Sequence, residues 1–429
     1  MSDLFTPYKL GPMTLRNRTI RSSAFENMCP GNVPSQALID YHTSVAKGGV
    51  GMTSVAYCSV DRSGVSFDGQ LYVHDEAKEG LKKLTESVHA QGAKVSIQLG
   101  HCGNMTHRYT CGGKTPVGAS SGLNLYSPTF VRGLKVDEIH TIARHFGEAV
   151  DWCRDCGFDC VEIHAGHGYL ISQFLSPYTN HRKDEYGGAL QNRMRMMDEV
   201  LDEVMEHART DMAVIVKMNM FDGFRGGMQV DECLEVAKRI KRHGVHGIVL
   251  SAGFVSRAPM VILGGAMPLR TLAHYMNPWK FWWLKAGIAV GGRLLIPTVP
   301  YKETYFLDTA RIFRKEIPDI PLIYVGGIQS RENCETVLGE GFELIQMAHV
   351  LVRDPEFVNH MREDEQKTGG LSYRSSCARS NYCVGRMYTL DMKCHECVED
   401  LPCSLRKEIE KAEKVNRERL AEATVEGKV

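Results

Sequence analysis

Eight short apolar runs recur along the chain, each followed by a segment with room for a helix, and this alternation limits the fold more than any other feature. The runs are Thr19–Ser22, Gly51–Val55, Lys94–Gln98, Cys160–Ile163, Val214–Lys217, Gly247–Leu250, Leu322–Val325 and Leu344–Met347. Strand-length runs that alternate with amphipathic helices call for parallel strands joined by helical crossovers. Eight such units predict an α/β fold, the closed (β/α)8 TIM barrel. Helical spacing of apolar residues is clearest over Glu79–Ala90, Val136–Cys156, Arg193–Ala208, Val230–His243 and Arg331–Leu338. The longest gap follows the sixth run and holds Ala258–Pro300 with Trp279, Trp282 and Trp283. Loops after barrel strands lie on the catalytic face, so this insertion reads as a substrate lid, a subunit contact or a plain structural excursion. The alternation stops after Pro355. The expected division is a barrel over 1–360 and a cysteine-containing extension over 361–429, ending in the charged helical stretch Arg406–Lys428.

Charge narrows the partners. Fifty-one basic and 51 acidic side chains cancel, which leaves no field to gather nucleic acid or an anionic membrane. A small uncharged or weakly polar molecule is the expected partner, and a homo-oligomer is compatible with the composition. Met1–Leu10 lacks the basic start and apolar run of a secretory signal. Phe281–Val299 is interrupted by Lys285 and Arg293 and is too broken to span a bilayer. The expectation is a cytoplasmic protein whose 14 cysteines are reduced thiols. Cys153, Cys156 and Cys160 lie close together in sequence, on and just after a helix-like stretch, where core packing explains them.

Chemistry concentrates after the fourth run, in His164-Ala165-Gly166-His167-Gly168-Tyr169. Side chains at the C-terminal ends of barrel strands point into the active site, so His164, His167 and Tyr169 should meet at its mouth. Neutral imidazoles there can donate hydrogen bonds to a substrate oxygen, and a tyrosine hydroxyl can deliver a proton. Zinc is an alternative for the histidines, but the pair lacks a third ligand and a helical HExxH pattern. A purely structural pair is the other alternative.

The segment from His164 through Ser176-Pro177-Tyr178-Thr179-Asn180-His181-Arg182-Lys183-Asp184-Glu185-Tyr186-Gly187-Gly188 resembles the Old Yellow Enzyme family of FMN-dependent ene-reductases. It is most similar to the branch that contains 2,4-dienoyl-CoA reductases. Leu4-Phe5-Thr6-Pro7, Leu15-Arg16-Asn17-Arg18, Gln98-Leu99-Gly100-His101 and Gly326-Gly327-Ile328 fall in the family's order, so the resemblance covers roughly residues 1 to 360. It implies FMN as cofactor, NADH or NADPH as reductant and an activated alkene as substrate. By the same resemblance Gln98 meets the pyrimidine edge of the flavin, Lys217 lies near N1 and O2, and Ser22, Ala24 and Tyr57 line the ring. Lys217 also has a simpler reading, as the partner of a neighbouring carboxylate. Gly326 and Gly327, with Ala348 and His349, fall at the phosphate. The family usually has Gly-Arg where this chain reads Ala348-His349, and frequently arginine where it has Asn104. His349 is therefore expected to be a titratable single contact, making FMN retention weaker or acid-sensitive.

In the dienoyl-CoA reductase branch four cysteines after the barrel hold a [4Fe–4S] cluster. Here Ser380 stands where the second cysteine is expected, between Cys377 and Cys383, and the spacing to Cys394 is short. Loss of the cluster is the favoured expectation; a retained one would use Cys377, Cys383, Cys394 and Cys397. Zinc and packed thiols are the alternatives. The combined reading is an NAD(P)H-dependent FMN ene-reductase acting on an enone or enoyl group, with the tryptophan-containing insertion giving room for a bulky or polycyclic substrate. Two alternatives stand beside it: a phosphate-binding barrel aldolase or isomerase, for which Lys217 is the sole Schiff-base candidate, and a non-enzymatic flavin or metal redox sensor built around the terminal cysteines.

Overall fold

A computed structural model of the chain describes residues 3–124, 129–276 and 282–425. Eight parallel strands close into a barrel: β1 (Thr19–Arg21), β2 (Met52–Ser59), β3 (Lys94–Gly100), β4 (Cys160–Ala165), β5 (Ala213–Asn219), β6 (Gly247–Ser251), β7 (Leu322–Val325) and β8 (Leu344–Met347). Each pairs with its sequence neighbours, and β8 pairs with β1 to complete the ring. The main crossover helices are α1 (Gln36–Lys47), α2 (Lys78–His89), α3 (Val136–Asp155), α4 (Arg195–Ala208), α5 (Val230–Arg242), α6 (Leu307–Glu316) and α7 (Arg331–Gly339), with α8 (Phe357–Thr368) after the last strand. Each predicted strand lies on an observed one.

The strands are apolar because both of their faces are covered. Val161, Ile163, Val214, Val216, Ile248 and Leu250 point outward into one continuous core with the helices. The alternate positions Ile20, Met52, Cys160, Ile215, Val249, Ile323 and Leu344 fill a separate inner core. An antiparallel hairpin, Tyr8–Leu10 with Met13–Leu15, closes the N-terminal end of the barrel by inserting Leu10, Met13 and Leu15 into that inner core. Above this plug the inward positions turn polar: Ser54, Ser96, Gln98, Glu162, Lys217 and Gln346 are all buried. The change of character along each strand fixes which end of the barrel can receive a polar ligand. Helix starts carry their own signals: Ser35 Oγ accepts from Leu38 N–H at 3.2 Å at the head of α1, and Ser330 with Asn333 forms a capping box on α7.

Two elaborations meet over the C-terminal mouth. The insertion after β6 forms helices Pro259–Leu263, Leu269–Tyr275 and Trp282–Leu295; Trp282 is exposed, while Trp279 and the side chain of Trp283 lie outside the described residues. The C-terminal extension packs against this insertion. Glu408, on the helix Cys403–Val425, accepts from the backbone N–H groups of Arg270 and Thr271, both at 3.0 Å. Asn381 donates to Gly264 O at 2.8 Å and Ala266 O at 3.1 Å, and the Tyr275 and Tyr382 hydroxyls pair at 2.6 Å. Among the described residues no helix is long and apolar enough to cross a membrane.

Candidate active site

One cavity of about 920 Å³ opens at the C-terminal ends of the strands, at the upper end of the range typical of ligand sites. Its wall contains every candidate residue from the barrel: Ser22 and Ala24 after β1, Tyr57 in β2, Gln98 in β3, His164, His167 and Tyr169 in and after β4, and Lys217 in β5. Gly326 and Gly327 after β7, with Ala348 and His349 after β8, line the same space.

Behind the lining residues Ser23, Gln98, Lys217 and Gln346 stands Glu162, fully buried in β4 and not anticipated from the sequence. Lys217 Nζ lies 2.9 Å from its carboxylate. Gln98 Nε2 and Gln346 Nε2 each donate to it at 2.7 Å, and the Ser23 hydroxyl donates as well. Burial alone would raise the Glu162 pKa; the Lys217 charge and these donors hold it below the usual carboxylate range. Burial in turn draws the Lys217 ammonium below the usual lysine range, and Glu162 offsets part of that shift. Lys217 also donates to Ser22 Oγ at 3.3 Å. It is thus both a carboxylate partner and a wall of the cavity.

Two residues beyond Glu162 on the same strand face, His164 enters the mouth. Its Nδ1 accepts from Gly166 N–H at 3.4 Å, which leaves the ring proton on Nε2. His167 sits in the left-handed region at φ 58°, and Gly168 follows at φ 80°, where a Cβ would strike Phe254 at 2.4 Å. That turn is held from β6: Val255 N–H donates to His167 O at 3.0 Å, and His167 Nε2 meets Ser251 Oγ at 2.7 Å. Desolvation is the main reason both imidazoles lie well below their ordinary pKa, so both are neutral. Tyr169 closes the group, with its ring centroid 4.4 Å from His164 and 5.0 Å edge-on from Tyr57. Tyr57 reaches this place through an irregularity in β2, where the pairing register with β3 shifts between Val55 and Cys58.

At the other end of the cavity the glycines form a cradle. Gly326 has φ 129° and Gly327 φ 78°; a Cβ on Gly327 would lie 2.6 Å from Thr304 N. His349 departs from expectation. Its burial holds the pKa down at about 3, so it is a neutral donor or acceptor and not a titratable cation; its Nε2 is buried without a hydrogen-bond partner. Arg379 from the C-terminal extension lines the same end and was not singled out from the sequence.

All fourteen cysteines are free, and Cys153, Cys156 and Cys160 are core residues. Cys377, Cys383 and Cys394 line a separate void of about 20 Å³ with Ser380. Cys397 and Cys403 are exposed. Among the described residues no group of three or more His, Cys, Asp or Glu side chains is placed to hold a metal ion.

The sequence pattern of the NADH:flavin oxidoreductase / NADH oxidase family matches residues 3–256. A 4,4'-dithiodibutanoate disulfide reductase of Rhodococcus erythropolis is 34% identical over 387 residues, spanning 90% of this chain and 93% of that protein. An NADH oxidase of Thermoanaerobacter brockii is 30% identical over 369 residues; the alignment covers 85% of this chain and 51% of that longer protein. Among solved structures, a 2-naphthoyl-CoA reductase in complex with 2-naphthoyl-CoA superposes with a TM-score of 0.75 at 22% identity, over 95% of this chain and 58% of that one.

Two outcomes follow from the site's electrostatics. Lys217→Met leaves the Glu162 carboxylate buried without its counter-charge and should lower unfolding free energy by about 3–5 kcal/mol in denaturant titrations, with much of the loss recovered when Glu162→Gln is added. The second concerns pH. His349 binds a proton near pH 3 when folded but near 6.5 when unfolded, so its share of stability is complete above about pH 6.5 and is lost on acidification. His349→Gln should flatten the fall in melting temperature between pH 7.5 and 5, and an unchanged slope would contradict a buried neutral imidazole.

Proposed function

The chain belongs to the NADH:flavin oxidoreductase / NADH oxidase family, and from that premise we propose that it is an FMN-dependent ene-reductase that uses NADH or NADPH to reduce a carbon–carbon double bond activated by a carbonyl group. The observation that carries this reading is the convergence of two neutral histidines and a tyrosine on a cavity that is also lined by Lys217, the partner of the buried Glu162. FMN fits the residues present: Gly326 and Gly327 line the cavity with backbone and carry no side chain there, and His349 Nε2 is an unsatisfied polar atom at that end. FMN, when bound, supplies hydride transfer from the nicotinamide to the alkene.

Gln98, Lys217 and Ser22 would hold the polar edge of the ring, where Lys217 would supply positive charge. Tyr57 and Ala24 would line its face, while the backbone of Gly326, Gly327, Ala348 and His349 would receive the phosphate. His164, with its proton on Nε2, and His167 donate hydrogen bonds to the substrate carbonyl oxygen. Being neutral, they hold negative charge that develops on that oxygen without first surrendering a proton to it. Tyr169 delivers the proton to the α carbon, its ring fixed between His164 and Tyr57. A zinc-bound or Schiff-base mechanism has no comparable support, since Lys217 is committed to Glu162.

The insertion after β6 contributes Leu263, Met267, Leu272, Met276, Ile288 and Ile296 to the cavity. This apolar wall supports a bulky, weakly polar enone as substrate. The Rhodococcus relative is named for a disulfide, so 4,4'-dithiodibutanoate belongs in the same acceptor screen.

Tyr169→Phe separates the roles. It should slow alkene reduction roughly 10²- to 10⁴-fold while flavin reduction by NADH or NADPH stays near the wild-type rate in stopped-flow traces. Equal loss of both half-reactions, or faster turnover of the disulfide than of any enone, would overturn the assignment.

A further inference from the structure

We propose that Arg379, carried by the C-terminal extension, is the phosphate-binding cation of this enzyme, reaching across the barrel mouth to a place that the end of β8 leaves uncharged. The proposal rests on the FMN reading above. A phosphate monoester carries close to two negative charges near neutral pH, and a buried phosphate calls for a permanent cation as well as backbone donors. After β8 the chain offers Ala348, which has no polar side chain, and His349, which stays neutral.

Arg379 is 7% exposed, yet no carboxylate among the described residues forms an ion pair with it. Its guanidinium lies 4.3 Å over the Tyr301 ring. Nη2 donates to Leu263 O at 3.0 Å, while Nε is buried with no partner. A guanidinium in that state is costly unless an anion joins it. Tyr305 is close by: a Cβ on Gly264 would lie 3.8 Å from both Arg379 Nη2 and Tyr305 Cε1. The same ring lies against both cradle glycines: a Cβ on Gly327 would meet Tyr305 Cδ1 at 2.9 Å, and one on Gly326 would meet Cε2 at 3.4 Å. Arg379, Gly326, Gly327 and His349 all line one cavity. Two unsatisfied nitrogens, Arg379 Nε and His349 Nε2, are therefore found beside the cradle.

The surroundings hold Arg379 in this posture at a backbone cost. Its φ is 56°, a left-handed conformation that non-glycine residues adopt with strain. Asn416 on the terminal helix donates to the carbonyls of Ala378 at 3.2 Å and Arg379 at 3.1 Å. Asn381, two residues on, is tied to Gly264 and Ala266. The extension thus positions one side chain into the barrel's ligand cavity, and cofactor retention becomes a property of the tail.

The test compares FMN with riboflavin, which has the same ring and lacks the phosphate. The holoenzyme is stripped of flavin, and each compound is titrated back by fluorescence quenching. Arg379→Gln should weaken FMN binding roughly 10- to 100-fold, the worth of a charged hydrogen bond, and leave riboflavin affinity unchanged; Arg379→Lys should recover part of the loss. Unaltered FMN affinity in Arg379→Gln overturns the proposal, as does an equal loss for both compounds, which would mark a structural role. A raised KM for an anionic acceptor with unchanged FMN affinity would place the anion on the substrate and also overturn it. A wild-type protein that binds neither compound would remove the FMN reading itself.

Discussion

The buried pair between Glu162 and Lys217 is the interaction around which the site is organised. An isolated carboxylate inside a barrel would cost several kcal/mol, so Glu162 draws its partners from the surrounding strands. Lys217 comes from β5, Gln98 from β3, Gln346 from β8, and Ser23 from the segment after β1. The resulting polar layer sits directly above the apolar plug made by Ile20, Cys160, Ile215 and the N-terminal hairpin. Because strand side chains alternate, satisfying Glu162 also fixes His164 on the same face one step nearer the mouth. Ligand-facing groups are thereby positioned by a network that is complete within the protein.

Above that layer, the cavity is completed by elements that are not part of the barrel. The insertion after β6 supplies the apolar wall of the cavity, and the C-terminal extension supplies Arg379. The two are joined by Glu408 to the start of helix Leu269–Tyr275 and by Asn381 to the Gly264 turn. These bonds join the apolar wall to the segment that carries Arg379.

The barrel was legible because parallel strands buried on both faces read as short apolar runs, and each predicted run lies on an observed strand. Less was visible elsewhere. α1 buries Leu38, Ile39, Tyr41, Val45 and Ala46, and α6 buries Leu307, Ala310 and Phe313, but polar residues fill the positions between them, and neither helix was singled out. His164, His167 and Tyr169 could be read from their place at a strand end, and the carboxylate partner considered for Lys217 exists. Glu162 itself was missed, although a lone acid between Val161 and Ile163 was a signal that an inward partner must follow. The expectation of a titratable His349 failed because burial and the nearby Arg379 charge suppress its protonation. Arg379 was hidden by distance: it lies 52 residues beyond Gly327 in the chain, and only the fold of the extension brings them to one cavity.

The central claim is that this cavity binds a flavin and passes reducing equivalents from a nicotinamide to an activated alkene. Visible spectroscopy of the purified protein without oxygen tests it most directly. The account predicts a yellow flavin spectrum that bleaches on addition of NADH or NADPH and returns when a bulky enone is added. A colourless protein that cannot be reconstituted with FMN, or a reduced flavin that no enone reoxidises, would contradict it.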